Sequence, residues 1–247
     1  MDFITTERVG AILVVTMNRP EVYNAVHAPM HHEMSKVWDD FAADPDLWVA
    51  VLTGAGDKAF SAGNDLKYTE TGFAGLSSRM DLEKPIIAAV NGFAMGGGFE
   101  TALSCDIILA ADTATFALPE VKVGLFAAAS GVQRLSRQIG RKPAVEMMLT
   151  GRPVSAEEGA RLGFVNAVHP AKDLMDAAMA KARDIASVSP SSVRSTKRVL
   201  NQMDEIDRLA ESLAFARDEI AALAKTEDFK EGVEAFVQKR KPEWKNR

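Results

Sequence analysis

Apolar and polar positions along the chain change period several times, and each change predicts an element. The run Ala11 to Met17 is apolar and β-branched and stops at Asn18-Arg19-Pro20, which predicts a strand ended by a turn. Met30, Met34, Val37 and Phe41 recur at helical spacing with charged residues between them, so a helix is expected there, closed by Pro45. Trp48 to Leu52 and Ile86 to Val90 predict buried strands. The first leads into Thr53-Gly54-Ala55-Gly56, the second into Asn91-Gly92 and the triplet Gly96-Gly97-Gly98. Phe99 to Ser104 predicts a short helix, and Asp106 to Ala110 and Ala114 to Leu118 predict further strands. Strands alternating with helices point to the α/β class.

From Gly131 onward the pattern is mostly helical. Ser155 with Glu158 forms a candidate capping box opening a helix that Gly163 ends, before a short strand from Phe164 to Val168. Helices are expected from about Asp173, Ser191 and Asp204. The last of them carries Phe229, Val233, Phe236 and Val237 on one stripe, beside the basic tail Lys239-Arg240-Lys241. The expected organisation is a core of residues 1–189 and a helical region of residues 190–247, divided at Ser189-Pro190.

Composition narrows the function classes. With 247 residues, 47% hydrophobic and 26% charged, the chain has the profile of a soluble globular protein. The net charge of -5 disfavours non-specific contact with nucleic acid or anionic membrane. The single cysteine, Cys105, lies in an apolar run and has no intramolecular partner, so nothing calls for an oxidising compartment. Without a targeting signature or a membrane-length apolar run, a cytoplasmic location is expected. His31-His32-Glu33 lacks the spacing that would put two histidines on one helical face, so no metal site is expected. Ser61 and Ser130 sit in no nucleophile elbow. Gly54 to Ala59 fits the loosest dinucleotide fingerprint, but no second strand ending in an acidic residue follows.

Two junctions carry the candidate chemistry: Ala59 to Leu66, and Asn91 through the glycine triplet to Glu100. Both are built from small residues, so backbone N–H groups can approach a ligand unobstructed. The second opens a helix, whose first N–H groups lack intrahelical partners and favour negative charge. Glycine-rich turns also serve close packing, and either cluster alone would suit that role. Two glutamates shift the balance. Glu100 ends the triplet in an apolar helix start, and Glu120 follows a strand in Ala117-Leu118-Pro119-Glu120. Carboxylates in such surroundings can have raised pKa values, which suits proton transfer near neutral pH.

These segments resemble the crotonase (enoyl-CoA hydratase/isomerase) superfamily: Val49 to Gly56, Phe60 to Lys67, Lys84 to Gly92 and on to Glu100, Ala114 to Glu120, and Glu234 to Arg240. The resemblance runs in order over essentially the whole chain. It implies a spiral of repeated ββα units, with a helical C-terminal oligomerisation region that forms homotrimers or dimers of trimers. It implies an oxyanion hole from the N–H groups of Ala62 and Gly97, with Glu100 and Glu120 as the acid/base pair. Contacts to an acyl-CoA substrate are implied for Ala25, Ser61, Asp65, Leu66, Lys67, Gly96 and Ala128, and for Phe236 and Lys239 from the C-terminal helix. Coenzyme A would be part of the substrate, and no separate cofactor is implied. Both glutamates together favour an enoyl-CoA hydratase over an isomerase that uses one. Thr71 to Leu76, together with Phe116 to Glu120 and the ending Pro242 to Lys245, are also similar to carnitinyl-CoA dehydratases. An RNA-binding or scaffold homologue is the non-enzymatic alternative. Two departures stand out: Tyr23 where the family usually has a basic residue, and the loop Phe126-Ala127-Ala128-Ala129-Ser130-Gly131 in place of a proline followed by glycine or small polar residues.

Overall fold

The structure is a computed structural model that describes residues 1–68, 74–203 and 209–247. Thr71, Gly72 and Phe73 of the dehydratase-like stretch and the expected helix start at Asp204 therefore lie outside the described residues, as does the Val237 side chain.

Strands β1 (Ile4–Val9), β2 (Ile12–Met17), β3 (Val49–Gly54), β5 (Ile86–Val90), β7 (Ile107–Ala111) and β10 (Ala167–His169) form a six-stranded sheet in the order β1-β2-β3-β5-β7-β10. All neighbours are parallel except the β1/β2 hairpin. Strand β1 had no counterpart in the hydrophobic pattern, because Ile4 alone among its residues is buried. It is a polar edge strand held by its ladder to β2.

A second sheet of four short strands runs β4 (Ala59–Ser61), β6 (Phe93–Met95), β8 (Thr115–Ala117) and β9 (Val154–Ser155). Each of β3, β5 and β7 turns sharply into β4, β6 and β8, so the chain winds through both sheets as a spiral of paired strands. Helix α1 (Ala28–Ala43) buries Met30, Met34, Val37 and Phe41 as the spacing requires, and adds Trp38. The chain crosses from β6 into α2 (Gly97–Leu103).

Helices α3 (Gly131–Ile139), α4 (Arg141–Thr150), α5 (Ala156–Leu162), α6 (Leu174–Ala186), α7 (Pro190–Met203), α8 (Leu209–Leu223) and α9 (Glu227–Gln238) complete the chain. Half of the expected capping box forms. The Ser155 hydroxyl accepts from the Glu158 N–H at 3.2 Å, but the Glu158 carboxylate pairs with Arg152 instead of reaching back. The strand expected at Phe164 begins later, at Ala167. Phe164 instead joins Phe99 and Phe116 in a cluster with ring centroids 5.0–5.2 Å apart, which ties α2 to β8. On α9 two residues of the expected apolar stripe are not covered within the single chain: Phe236 is 85% exposed and Val233 53% exposed, while Phe229 is half-buried and Asp228 and Ala235 are buried.

Candidate active site

The order β4-β6-β8 decides the site. These three strands are parallel neighbours, with Ser61 opposite Ala94 and Met95 opposite Ala117, so their C-terminal ends lie side by side. The junctions after β4 and β6 and the Pro119-Glu120 turn after β8 therefore converge, as ligand sites commonly do at the carboxyl ends of parallel strands. Gly98 permits the closeness. A Cβ there would lie 2.2 Å from the Ser61 carbonyl oxygen.

Between Tyr23 and Asp65 most backbone groups are already committed. Tyr23 and Asn24 adopt left-handed φ of 55°, and the buried Asn24 side chain donates to the Ala55 and Ala59 carbonyls at 3.0 and 2.8 Å. The Ser61 hydroxyl donates to the Asn24 carbonyl at 2.8 Å and accepts from the Gly63 N–H at 3.1 Å. The Val26 N–H donates to the Gly63 carbonyl, and the Asp65 N–H to the Val26 carbonyl, each at 2.8 Å. The expectation for Ala62 is corrected here: its N–H donates to the Tyr23 carbonyl at 2.9 Å and cannot also serve an oxyanion. The uncommitted donor is two residues on. Among the described residues the Asn64 N–H has no acceptor, and its nitrogen lies 3.5 Å from where a Cβ on Gly97 would sit. Gly97 opens α2, so its own N–H has no intrahelical partner. The free pair is Asn64 and Gly97.

Glu100, on the first turn of α2, is 3% exposed. Its Oε1 accepts from the Gly131 N–H at 2.8 Å. Burial pushes its pKa up to about 7, with the Glu120 charge adding to the rise while the N–H groups of Gly131 and Ala129 oppose it. Gly131 is required to be small: a Cβ there would lie 2.9 Å from the Glu100 carboxylate. Burial likewise raises the pKa of Glu120, whose Oε2 is buried and has no hydrogen-bond partner among the described residues.

The two carboxylates border one cavity of about 540 Å³ together with Ala62, Asn64, Leu66, Gly96, Gly97, Pro119, Lys122, Val123, Leu125, Phe126 and Ala128. Of the expected residues, the cavity brings together Ala62, Leu66, Gly96, Gly97, Glu100, Glu120 and Ala128. The buried Ser61 is spent on the loop, and the Ala25 carbonyl and the Asp65 carboxylate are taken by Arg19. None of these three residues lines the cavity. Lys67, Phe236 and Lys239 do not line the cavity. Asn64, Pro119, Lys122, Val123 and Leu125 were missed. The proximity of Asn64 to the second glycine of the triplet was the available signal, but only hydrogen-bond accounting distinguishes it from Ala62. No group of three or more potential metal ligands occurs among the described residues, and none of their helices is long and apolar enough to cross a membrane.

A family model for enoyl-CoA hydratase/isomerase matches residues 7–247. The carnitinyl-CoA dehydratase of Citrobacter koseri is 41% identical over 255 residues, covering 97% of each chain. The mevalonyl-coenzyme A hydratase of Beauveria bassiana is 42% identical over 258 residues, covering 95% of this chain and 91% of that one. Among solved structures, an enoyl-CoA hydratase from Mycobacterium marinum superposes with a TM-score of 0.94 at 36% identity over 100% of both chains. One from Bacillus anthracis superposes with a TM-score of 0.93 at 32% identity, covering 99% of this chain and 100% of that one.

Proposed function

Since the chain belongs to the enoyl-CoA hydratase/isomerase family, with activity of the hydratase or dehydratase type, we propose that it adds water reversibly across the 2,3 double bond of an enoyl-CoA thioester. One observation carries this reading: the buried Glu100 and half-buried Glu120 carboxyls, both with raised pKa values, face the same cavity as two uncommitted backbone N–H groups.

In the proposed reaction the thioester oxygen lies at the N–H groups of Asn64 and Gly97. Ionised Glu100 takes a proton from water as the water oxygen bonds to C3. The π electrons of the double bond move toward the thioester, and negative charge reaches its oxygen. Protonated Glu120 then delivers its proton to C2, and Glu100 releases its proton to solvent while Glu120 takes one up, which restores the pair, so the net change is addition of one water. The reverse path dehydrates. A pKa of about 7 keeps both forms of Glu100 populated near neutrality, which suits a group that acts as base one way and acid the other. Each N–H donor of such a hole is typically worth roughly 3 to 4 kcal/mol at the transition state.

A polar acyl group is the second reading. It is favoured by the carnitinyl-CoA and mevalonyl-coenzyme A relatives at 41% and 42% identity, and Asn64 and Lys122 supply polar side chains at the cavity wall. The exposed Phe236 and the neighbouring Lys239 are suited to contact coenzyme A from another copy of the chain, in a cytoplasmic homotrimer or dimer of trimers.

The test is loss of the conjugated enoyl-thioester absorbance of crotonyl-CoA, and of a more polar enoyl-CoA, for the wild type beside Glu100→Gln and Glu120→Gln. Hydration abolished by both substitutions supports the proposal. An isomerase would keep activity in Glu100→Gln and lose it in Glu120→Gln. RNA binding without turnover would favour the non-enzymatic alternative.

A further inference from the structure

We propose that Arg19 and Asp65 are positioning residues for the thioester-oxygen site, their buried ion pair setting where the Asn64 N–H points. This rests on the hydratase reading above. Asn64 belongs to no helix or extended strand; among the described residues a single isolated bridge to Val26 is its only regular pairing. That bridge consists of the two N–H donations linking Val26 with Gly63 and Asp65.

Arg19 closes the bridge from its far side. One guanidinium nitrogen donates to the Ala25 carbonyl at 2.5 Å and to the Asp65 carboxylate at 3.4 Å, and the other reaches the same carboxylate at 3.3 Å. The residues before Val26 and after Asn64 are thereby tied to one planar group. The guanidinium is itself set in place. It lies 5.9 Å from the centroid of the Phe3 ring, which meets His27 edge-on at 4.5 Å, and the Arg19 N–H donates to Asn24 Oδ1 at 3.0 Å. Rotation of the Asn64 peptide away from Gly97 would strain both bridge bonds and the Arg19 fork together.

The energetics favour position over stability as the purpose of this pair. Both side chains are only 11% exposed, and a buried ion pair often contributes little net stability compared with apolar residues of similar volume. Its fork geometry, in contrast, defines two distances and a plane. A lysine offers a point charge and cannot span the carbonyl and the carboxylate in the same way.

The variants to make are Arg19→Lys, Asp65→Asn and the double apolar replacement Arg19→Met/Asp65→Leu. The readouts are kcat and KM for an enoyl-CoA, the red shift of a bound conjugated enoyl-CoA chromophore, which reports carbonyl polarisation, and the thermal midpoint. Misplacement by about 1 Å can lower turnover by about a hundredfold. The expected result is a fall in kcat of roughly 10- to 100-fold with KM within about threefold of wild type, together with a diminished red shift. In the double variant these losses should occur at a near wild-type melting temperature. Wild-type kcat and red shift in folded Asp65→Asn and Arg19→Lys would overturn the positioning role, whether or not the double variant folds. A wild-type protein that neither turns over enoyl-CoA nor shifts the chromophore would overturn the hydratase reading itself, and this role with it.

Discussion

Replacing Glu100 with glutamine should abolish turnover and, above neutral pH, make the protein more stable. The carboxyl pKa is about 7 in the folded chain against an ordinary 4.5, because ionising it means placing a charge where water is excluded. Below about pH 4.5 the group is protonated in both folded and unfolded chains and contributes no difference. As pH rises from there to 7 the unfolded chain ionises first, so the wild type loses stability progressively. Above 7 the full penalty of about 3 kcal/mol applies, an upper value because Glu120 titrates in the same field. Glutamine cannot ionise, and its oxygen can still accept from Gly131. The thermal midpoint of Glu100→Gln relative to wild type should therefore rise between pH 5 and pH 8, by up to about 6–12 °C for a chain of this size. Thermal denaturation of both proteins across that range is the assay. Parallel pH dependence of the two midpoints would refute the burial argument.

Hydration catalysed by the wild type should rise with pH through an apparent pKa near 7, as Glu100 ionises, and a kcat/KM profile that stays flat from pH 5 to pH 8 would remove Glu100 as the base. The glycine triplet should separate fold from function. Gly97→Ala meets nothing closer than 3.4 Å and should fold, yet its methyl group would lie 3.5 Å from the Asn64 nitrogen, where the thioester oxygen is proposed to sit, so kcat/KM should fall by about 100-fold or more. Gly98→Ala, at 2.2 Å from the Ser61 carbonyl, should lose soluble folded protein altogether. Phe236→Ala and Lys239→Ala should raise KM for acyl-CoA several-fold with kcat unchanged, the pattern of lost uniform binding; unchanged KM in both would remove them from the coenzyme A contact.

The chain's own pattern determined those features whose cause is local or periodic. The strands near Ala11, Trp48, Ile86 and Asp106 were legible because residues buried on both faces make continuous apolar runs. The face of α1 was legible because burial repeats at 3.6 residues. Glu100 and Glu120 stood out because a carboxylate beside small apolar residues contradicts its surroundings. The polar edge strand β1 left no such trace, since its ladder to β2 depends on backbone groups that every residue carries. The stripe on α9 showed an apolar face but not whether this chain covers it. Tertiary structure alone decided which N–H is free. Ala62 and Asn64 are equally small-loop positions in the sequence, and what separates them is the Tyr23 carbonyl, brought in by a left-handed turn that Asn24 and Arg19 hold. Side-chain periodicity records burial along one segment, whereas the partner of a backbone donor is set by whichever distant segment folds against it.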